Sequence, residues 1–417
     1  MSRTFLPKRP SKSRFNSFAR RIVISRLKEL EEGQIKIIEN NETMLFGNLT
    51  DDFPEAVNLN VINQDFYSCI AFGGAIGASE AYMHEYWVCD DLVKILRILI
   101  RNRNVLEKVD TGLALLKVPM RKLLHSLNKN TRRGSRKNIA AHYDLSNEFY
   151  NLWLDSKMMY SCAYFDSSNT SLDDAATQKL DRICKKLDLK PGDSVIEIGT
   201  GWGGFAIHAA KNYGCHVTTT TISNQQFQYA QDIIEKSGLQ DKITLLNKDY
   251  RDLSGTFDKL VSIEMIEAVG HSFHASYFKK CCELLKPNGQ MLLQAITIAD
   301  QKYNEYKNSV DFINKYIFPG GCLTSITGMT ETITRYTDMR LFHLEDITPH
   351  YAKTLNHWHS RFFKRIDEVR NLGFSDIFIR LWKYYLCYCE SAFSERATGV
   401  VQLLIVRPEL RRDVVKY

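Results

Sequence analysis

Between residues 194 and 298 the apolar positions follow two alternating periods. Short apolar runs at 195–198, 216–222, 243–248, 259–263 and 290–298 predict strands. The segments 204–213, 225–237 and 273–285 repeat apolar residues every three or four positions and predict helices. Strands and helices that alternate at this spacing imply a parallel, doubly wound sheet. After Asp300 the alternation stops. An aromatic-rich stretch at 303–336 is followed by a strand at 341–347, helices at 351–371 and 376–393, and a last strand at 400–406.

The first 127 residues read as a smaller α+β unit. A hairpin is predicted from 34–38 and 43–47 around Asn40-Asn41, with a strand at 57–62, a glycine-rich stretch at 72–77 and a helix at 90–101. Residues 128–138 are polar, basic and poor in apolar side chains, which predicts a linker to a second domain over 139–417.

Composition adds limits. The 417 residues are 44% hydrophobic, ordinary for a globular protein of two domains. No apolar run approaches the roughly 18 residues of a membrane span. The start of the chain lacks the apolar stretch of a signal peptide. Ten cysteines without CxxC spacing suggest a reduced, cytoplasmic protein with no structural metal.

The net charge of +7 is unevenly spread. Nine Lys/Arg and no acid precede Glu29, over an apolar stripe of Phe15, Phe18, Ile22, Val23, Leu27 and Leu30. Lys129, Arg132, Arg133, Arg136 and Lys137 form a second cluster. A basic amphipathic helix favours an anionic phospholipid surface over nucleic acid as partner. A solvated helix packed on its own domain would look the same from sequence. The expected location is cytoplasmic, peripheral to the inner face of a membrane, with the smaller unit serving substrate, membrane or homodimer contacts.

Chemistry concentrates at the carboxyl ends of the predicted strands, where open α/β sheets bind ligands. The first runs Glu197-Ile198-Gly199-Thr200-Gly201-Trp202-Gly203-Gly204 into a helix. Glycines permit a tight turn and close approach of a ligand to the backbone. The spacing E-x-G-x-G-x-G suits a nucleoside without a pyrophosphate, with Glu197 near the amino-acid end of S-adenosylmethionine. An ordinary strand–turn–helix junction would share this pattern. The second strand ends at Thr221 and Ile222; no acid follows for the ribose hydroxyls, so the amide of Gln226 is assigned to them. The third ends at Asp249 and Tyr250, beside the expected adenine. The fourth and fifth end in EMIEAVG (264–270) and Gln294-Ala295-Ile296.

Together with HYDLSNEFY (142–150), YSCAYF (160–165) and YIFPGGCL (316–323), these motifs resemble the cyclopropane-fatty-acyl-phospholipid synthases. The likeness is close over about 138–408 and looser over about 66–104. It implies a class I methyltransferase fold of the α/β type, a Rossmann-like seven-stranded sheet closed by the two late strands. It also implies transfer of the methyl of S-adenosylmethionine to a cis double bond of a phospholipid acyl chain, giving a carbocation that loses a proton and closes a ring. Tyr160 and Ser161 would then lie beside the cofactor. The implied base is a bound bicarbonate held by Cys162, Glu267, the backbone of Ile296, and Tyr351, with Gln294 beside them among the catalytic residues. Tyr160, Tyr164, Phe165, Tyr303, Tyr316 and Phe318 are candidates for a water-free aromatic cage around the cation. Two departures stand out: Gln294 and Ala268 occupy positions where many members have His. Glutamine cannot titrate, which excludes a histidine base at 294. The branch carrying EAVG and LQxIxI also resembles enzymes making methyl-branched chains. A lipid-binding protein on an inactive fold is the remaining alternative, and a nucleic-acid methyltransferase lacks its usual catalytic motifs here.

Overall fold

The computed structural model describes residues 13–103, 145–412 and 415; the side chains of 13–15, the expected linker at 128–138, and His142 to Asp144 fall outside what is described. The described residues form two compact units that are not contiguous in sequence. The first holds the residues before 104 with Val310–Ile317 and Arg370–Ala397; the second holds the rest.

In the first unit, β1 (Gly33–Glu39), β2 (Glu42–Asn48), β3 (Val57–Val61) and β4 (Trp87–Cys89) make a sheet of order β2-β1-β3-β4. Asn40 and Asn41 both adopt left-handed φ, 48° and 66°, which a two-residue hairpin turn needs and asparagine tolerates. The glycine-rich stretch lies within the helix Asp65–Met83, bent at Gly74. A Cβ at Gly77 would fall 1.8 Å from the Cys69 carbonyl, so the bend demands glycine there. The helix Asp376–Ser394 packs on Leu92–Arg101 and on Asp65–Met83. Tyr384 meets Tyr82 at 5.6 Å, and Glu395 accepts from Arg97 at 2.6 Å. A segment expected within a continuous domain over 139–417 thus completes the core of the first unit.

The N-terminal helix Ser13–Leu27 splits the basic, apolar stripe read from sequence. Val23 and Leu30 are buried, Ile22 and Leu27 half-buried, and Phe18 is exposed. Arg20 donates to Glu39 at 2.9 Å and lies over the Tyr67 ring, so this cation serves the fold of its own unit.

The second unit contains β5 (Ser194–Ile198), β6 (His216–Thr220), β7 (Ile243–Leu246), β8 (Phe257–Ile263), β9 (Leu285–Ile298), β10 (Arg340–Asp346) and β11 (Thr398–Val406). Their order is β10-β11-β9-β8-β5-β6-β7. β5 runs parallel to both β6 and β8, and β8 parallel to β9, whereas β11 lies antiparallel between β9 and β10. Val195, Ile196, Leu260, Val261, Leu292 and Leu293 are completely buried, as strands covered on both faces require. The chain leaves β5 towards β6 on one side and reaches β8 on the other. This switch point opens a crevice at the carboxyl ends of the strands.

The helix Gly204–Tyr213 begins there. A Cβ on Gly204 would lie 2.5 Å from Met159 Sδ and 2.9 Å from the Lys157 carbonyl. Gly204→Ala is therefore expected to cost ~1–3 kcal/mol through overpacking against backbone that cannot move aside. Thermal denaturation checks this, and an unchanged melting temperature would show that the contact relaxes.

Candidate active site

β5 delivers Glu197 to the crevice as a buried side chain whose Oε2 accepts from the Thr219 hydroxyl at 2.6 Å. Burial pushes its carboxyl up to about 8. The turn that follows has positive φ at Gly199, Gly201 and Gly203, and beyond Gly201 a Cβ would meet open space, as a ligand cradle requires. At the end of β6 the Thr221 hydroxyl donates to Gln226 Oε1 at 2.9 Å. That contact leaves the Gln226 amide nitrogen as donor and fixes which way the side chain points. Ile222 follows Thr221 on the same strand end, before the Ser223-capped helix Asn224–Lys236. Past β7, Asp249 is clamped by Arg251 through Nε at 2.8 Å and a second guanidinium nitrogen at 2.6 Å. Tyr250 packs edge-on against Tyr277 at 5.5 Å. These residues come from three neighbouring strand ends and fit a nucleoside laid across them.

Ser161 accepts from Lys179 Nζ at 2.7 Å. Lys179 is fully buried on the helix Leu172–Lys186, and its charge interacts with Glu264, Asp155, Cys162 and Glu197. It links the strand beneath the glycine turn with the carboxylates past β8. Its signal in the sequence is faint: a lysine four residues from both Ala175 and Ile183 on the buried face of its helix.

The carboxylates themselves differ from expectation. Glu264, not singled out from sequence, is the centre of the cluster. Its Oε1 accepts from the Cys162 backbone N–H at 2.9 Å and from Gln294 Nε2 at 2.7 Å. Its Oε2 accepts from the Tyr351 hydroxyl at 2.7 Å. Gln294 is held in that orientation because Gln402 Nε2 donates to its Oε1 at 2.9 Å, and Lys186 in turn donates to Gln402 at 2.7 Å. Glu267 Oε1 accepts from the Ile296 N–H at 2.5 Å, while its Oε2 is buried with no hydrogen-bond partner. Burial, reinforced by the nearby Glu264, pushes Glu267 up to about 8. The Cys162 thiol donates to the Ala163 carbonyl at 3.2 Å, and burial drives its ionisation well above the usual thiol range.

The expected bicarbonate shell is thus corrected. Cys162, Gln294 and Tyr351 do converge, but on the carboxylate of Glu264, and Ile296 is engaged by Glu267. A free anion would have to displace a side chain and sit beside two carboxylates, so these residues do not fit bicarbonate.

Of the expected aromatic cage, Tyr160 and Phe318 lie together, centroids 6.2 Å apart. Tyr160 also meets Trp153 and Trp358, each at 5.4 Å, and Trp358 meets Tyr351 at 6.1 Å. Tyr164 instead packs at a tilt against His350 at 4.2 Å beneath Arg182, and Phe165 stacks on His357. Tyr303 packs beside Lys307. Tyr316 belongs to the first unit, where its hydroxyl donates to Glu80. The aromatic wall next to Glu264 is therefore built from Tyr351, Trp358, Tyr160 and Trp153, two of them tryptophans not named from sequence.

A seven-stranded sheet of this order, with a glycine turn after β5, is that of a class I S-adenosylmethionine-dependent methyltransferase. A family model described as mycolic acid cyclopropane synthetase matches residues 130–403, and the chain belongs to that family. It is 36% identical over 341 residues to the tuberculostearic acid methyltransferase UfaA1 of Mycobacterium tuberculosis, covering 80% of this chain and 79% of that one. It is also 36% identical over 358 residues to the cyclopropane-fatty-acyl-phospholipid synthase of Escherichia coli K12, covering 84% and 88%. Among solved structures it resembles the mycolic acid cyclopropane synthase CmaA1 in complex with SAH and CTAB, with a TM-score of 0.61 at 29% identity, covering 65% of this chain and 98% of that one.

Proposed function

We propose that this protein transfers the methyl group of S-adenosylmethionine to the cis double bond of a phospholipid acyl chain and closes a cyclopropane ring. The observation that supports this most is a half-buried pair of carboxylates, Glu264 and Glu267, beside an aromatic wall and next to the glycine turn. We assign Gly199, Gly201, Gly203, Glu197, Thr221, Ile222, Gln226, Asp249, Tyr250, Tyr160 and Ser161 to the cofactor. When bound, S-adenosylmethionine supplies an electrophilic methyl on a sulfonium. The aromatic faces of Tyr160, Trp153 and Trp358 stabilise positive charge without attacking it and exclude water that would trap a cation. The carboxylate pair supplies the acceptor for the proton that must leave.

The test is release of S-adenosylhomocysteine by purified protein with vesicles of one phospholipid class. Turnover with mono-unsaturated chains and none with saturated chains is the expected result; equal release with both contradicts the reading. A methyl-branched product is the second possibility. The chain is as similar to a tuberculostearic acid methyltransferase as to a cyclopropane synthase, 36% in each case. Proton loss from a different carbon, followed by reduction, would leave a methyl branch in place of a ring.

For access to lipid we propose that the protein is peripheral at the inner face of a membrane. Among the described residues no helix is long and apolar enough to cross a membrane. Arg21, Lys28 and Phe18 are exposed on or just past the N-terminal helix and would meet anionic headgroups. At ~1 kcal/mol per cation near the surface, Arg21→Ala with Lys28→Ala should weaken binding to anionic vesicles roughly thirtyfold at low salt, with the difference shrinking as salt rises. Co-sedimentation across a salt series checks it. Equal binding of both proteins would make this helix a solvated face only.

A further inference from the structure

Three donors from three separate segments aim at one side chain. The Cys162 N–H, the Gln294 amide and the Tyr351 hydroxyl all donate to Glu264, at 2.9, 2.7 and 2.7 Å. Glu264 also sits at φ 49°, in the left-handed region that a glutamate reaches only at a cost. Such strain persists where the surroundings over-determine it, and here they act through the carboxylate. We propose that the Glu264 carboxylate is the catalytic base of the reaction, built into the chain at the place where a free bicarbonate would otherwise be held.

This inference rests on the lipid-methylating reading above. Burial raises the Glu264 carboxyl above its ordinary range, as suits a group that must take up a proton, while the three donors and the buried charge of Lys179 oppose that shift and favour the ionised form. Gln294 matters because it is a donor fixed in orientation by Gln402, a role that needs no titration. In balance, the alkene electron pair bonds to the methyl carbon as the sulfur–carbon bond breaks, leaving S-adenosylhomocysteine. The other alkene carbon becomes cationic. Glu264 then accepts one proton from the transferred methyl, and the released C–H electron pair closes the three-membered ring. A protonated Glu264 remains and returns its proton to solvent by way of its neighbours.

The test compares wild type with Glu264→Gly, a residue at ease at φ 49°, so that the variant loses the carboxylate and the strain together. With unsaturated vesicles in carbon dioxide-free buffer, wild type should keep its turnover within about twofold. Glu264→Gly should lose ~10²–10⁴-fold, the usual worth of a general base, and regain at least ~tenfold on addition of millimolar bicarbonate. In ¹³C NMR, labelled bicarbonate should bind Glu264→Gly and not wild type, a readout independent of turnover. Wild type that stalls without bicarbonate, or that binds labelled bicarbonate, overturns the proposal. So does a Glu264→Gly protein fully active in carbon dioxide-free buffer. Should Glu264→Gly fail to fold, the near-isosteric Glu264→Gln carries the turnover arm, and retained activity there overturns the proposal equally. Absence of S-adenosylhomocysteine from wild type in both buffers, with unsaturated lipid present, marks failure of the underlying reading instead, while the NMR arm still reports on the anion site.

Discussion

Glu267→Gln is expected to bind S-adenosylmethionine as wild type does and to turn over ~10²–10⁴-fold more slowly. Glu267 Oε1 accepts from the Ile296 N–H, an interaction that a glutamine oxygen keeps. What the variant loses is a proton that can come and go. Burial holds the Glu267 carboxyl at about 8, close to a working pH, and Glu264 contributes to that shift. In the proposed reaction Glu264 gains a proton that must then leave, and the raised carboxyl of Glu267 beside it is placed to release it. Isothermal titration with cofactor and release of S-adenosylhomocysteine separate the two effects. Lost cofactor affinity with unchanged turnover per bound enzyme would contradict this role.

The same substitution carries a stability signature with a definite sign. Glu267 is raised from 4.5 to about 8 in the fold. Its contribution is therefore fully present below about pH 4.5 and is lost as pH rises through about 8, because the unfolded chain gives up the proton first. Glutamine has no such dependence. Glu267→Gln should thus gain in melting temperature relative to wild type between pH 5 and pH 8. A constant difference across that range would mean that the carboxyl is not raised.

Lys179→Met is expected to be the most destabilising single change in the site, by ~3–5 kcal/mol, the usual cost of removing one partner from a buried charge cluster. Lys179 is completely buried, donates to Ser161, and is the positive charge that Glu264, Asp155 and Glu197 share. Methionine fills the space without the charge. The carboxyls then hold their protons more tightly in the fold, and a carboxyl raised in the fold loses stability as pH rises. The deficit should be larger at pH 8 than at pH 5 in denaturant titrations. Glu264 would also stay protonated to higher pH, moving the acidic limb of the pH–rate profile upward. Wild-type stability together with an unshifted profile would show that Lys179 is not part of this electrostatic unit.

What the sequence made legible follows from the range of the interactions involved. The strands of the second unit are short apolar runs between helical periods, and β5, β6 and β8 form within a residue or two of the expected bounds. The glycine turn is a local pattern and was readable for the same reason. Glu264 was not, although EMIE sets two carboxylates three residues apart after β8. Choosing between them required knowing that Cys162, Gln294 and Tyr351 meet at Glu264 across 102, 30 and 87 residues of sequence. Lys179 left a fainter trace, a lysine on the apolar face of its helix. The helix Asp376–Ser394 is legible as a helix, but its sequence does not say which unit its Tyr384 and Trp382 complete. Likewise the basic N-terminal stripe gave no sign that Arg20 would turn inward to Glu39.

The most direct test of the central claim is mass spectrometry of phospholipids from a host without ring fatty acids that expresses the full chain. Unsaturated acyl chains should gain one CH₂ and survive ozonolysis, as a ring does and an alkene does not. Chains that gain a further two hydrogens would mark a methyl branch and contradict ring closure. Lipids left unchanged, in cells where the protein is folded and binds S-adenosylmethionine, would contradict lipid methylation altogether.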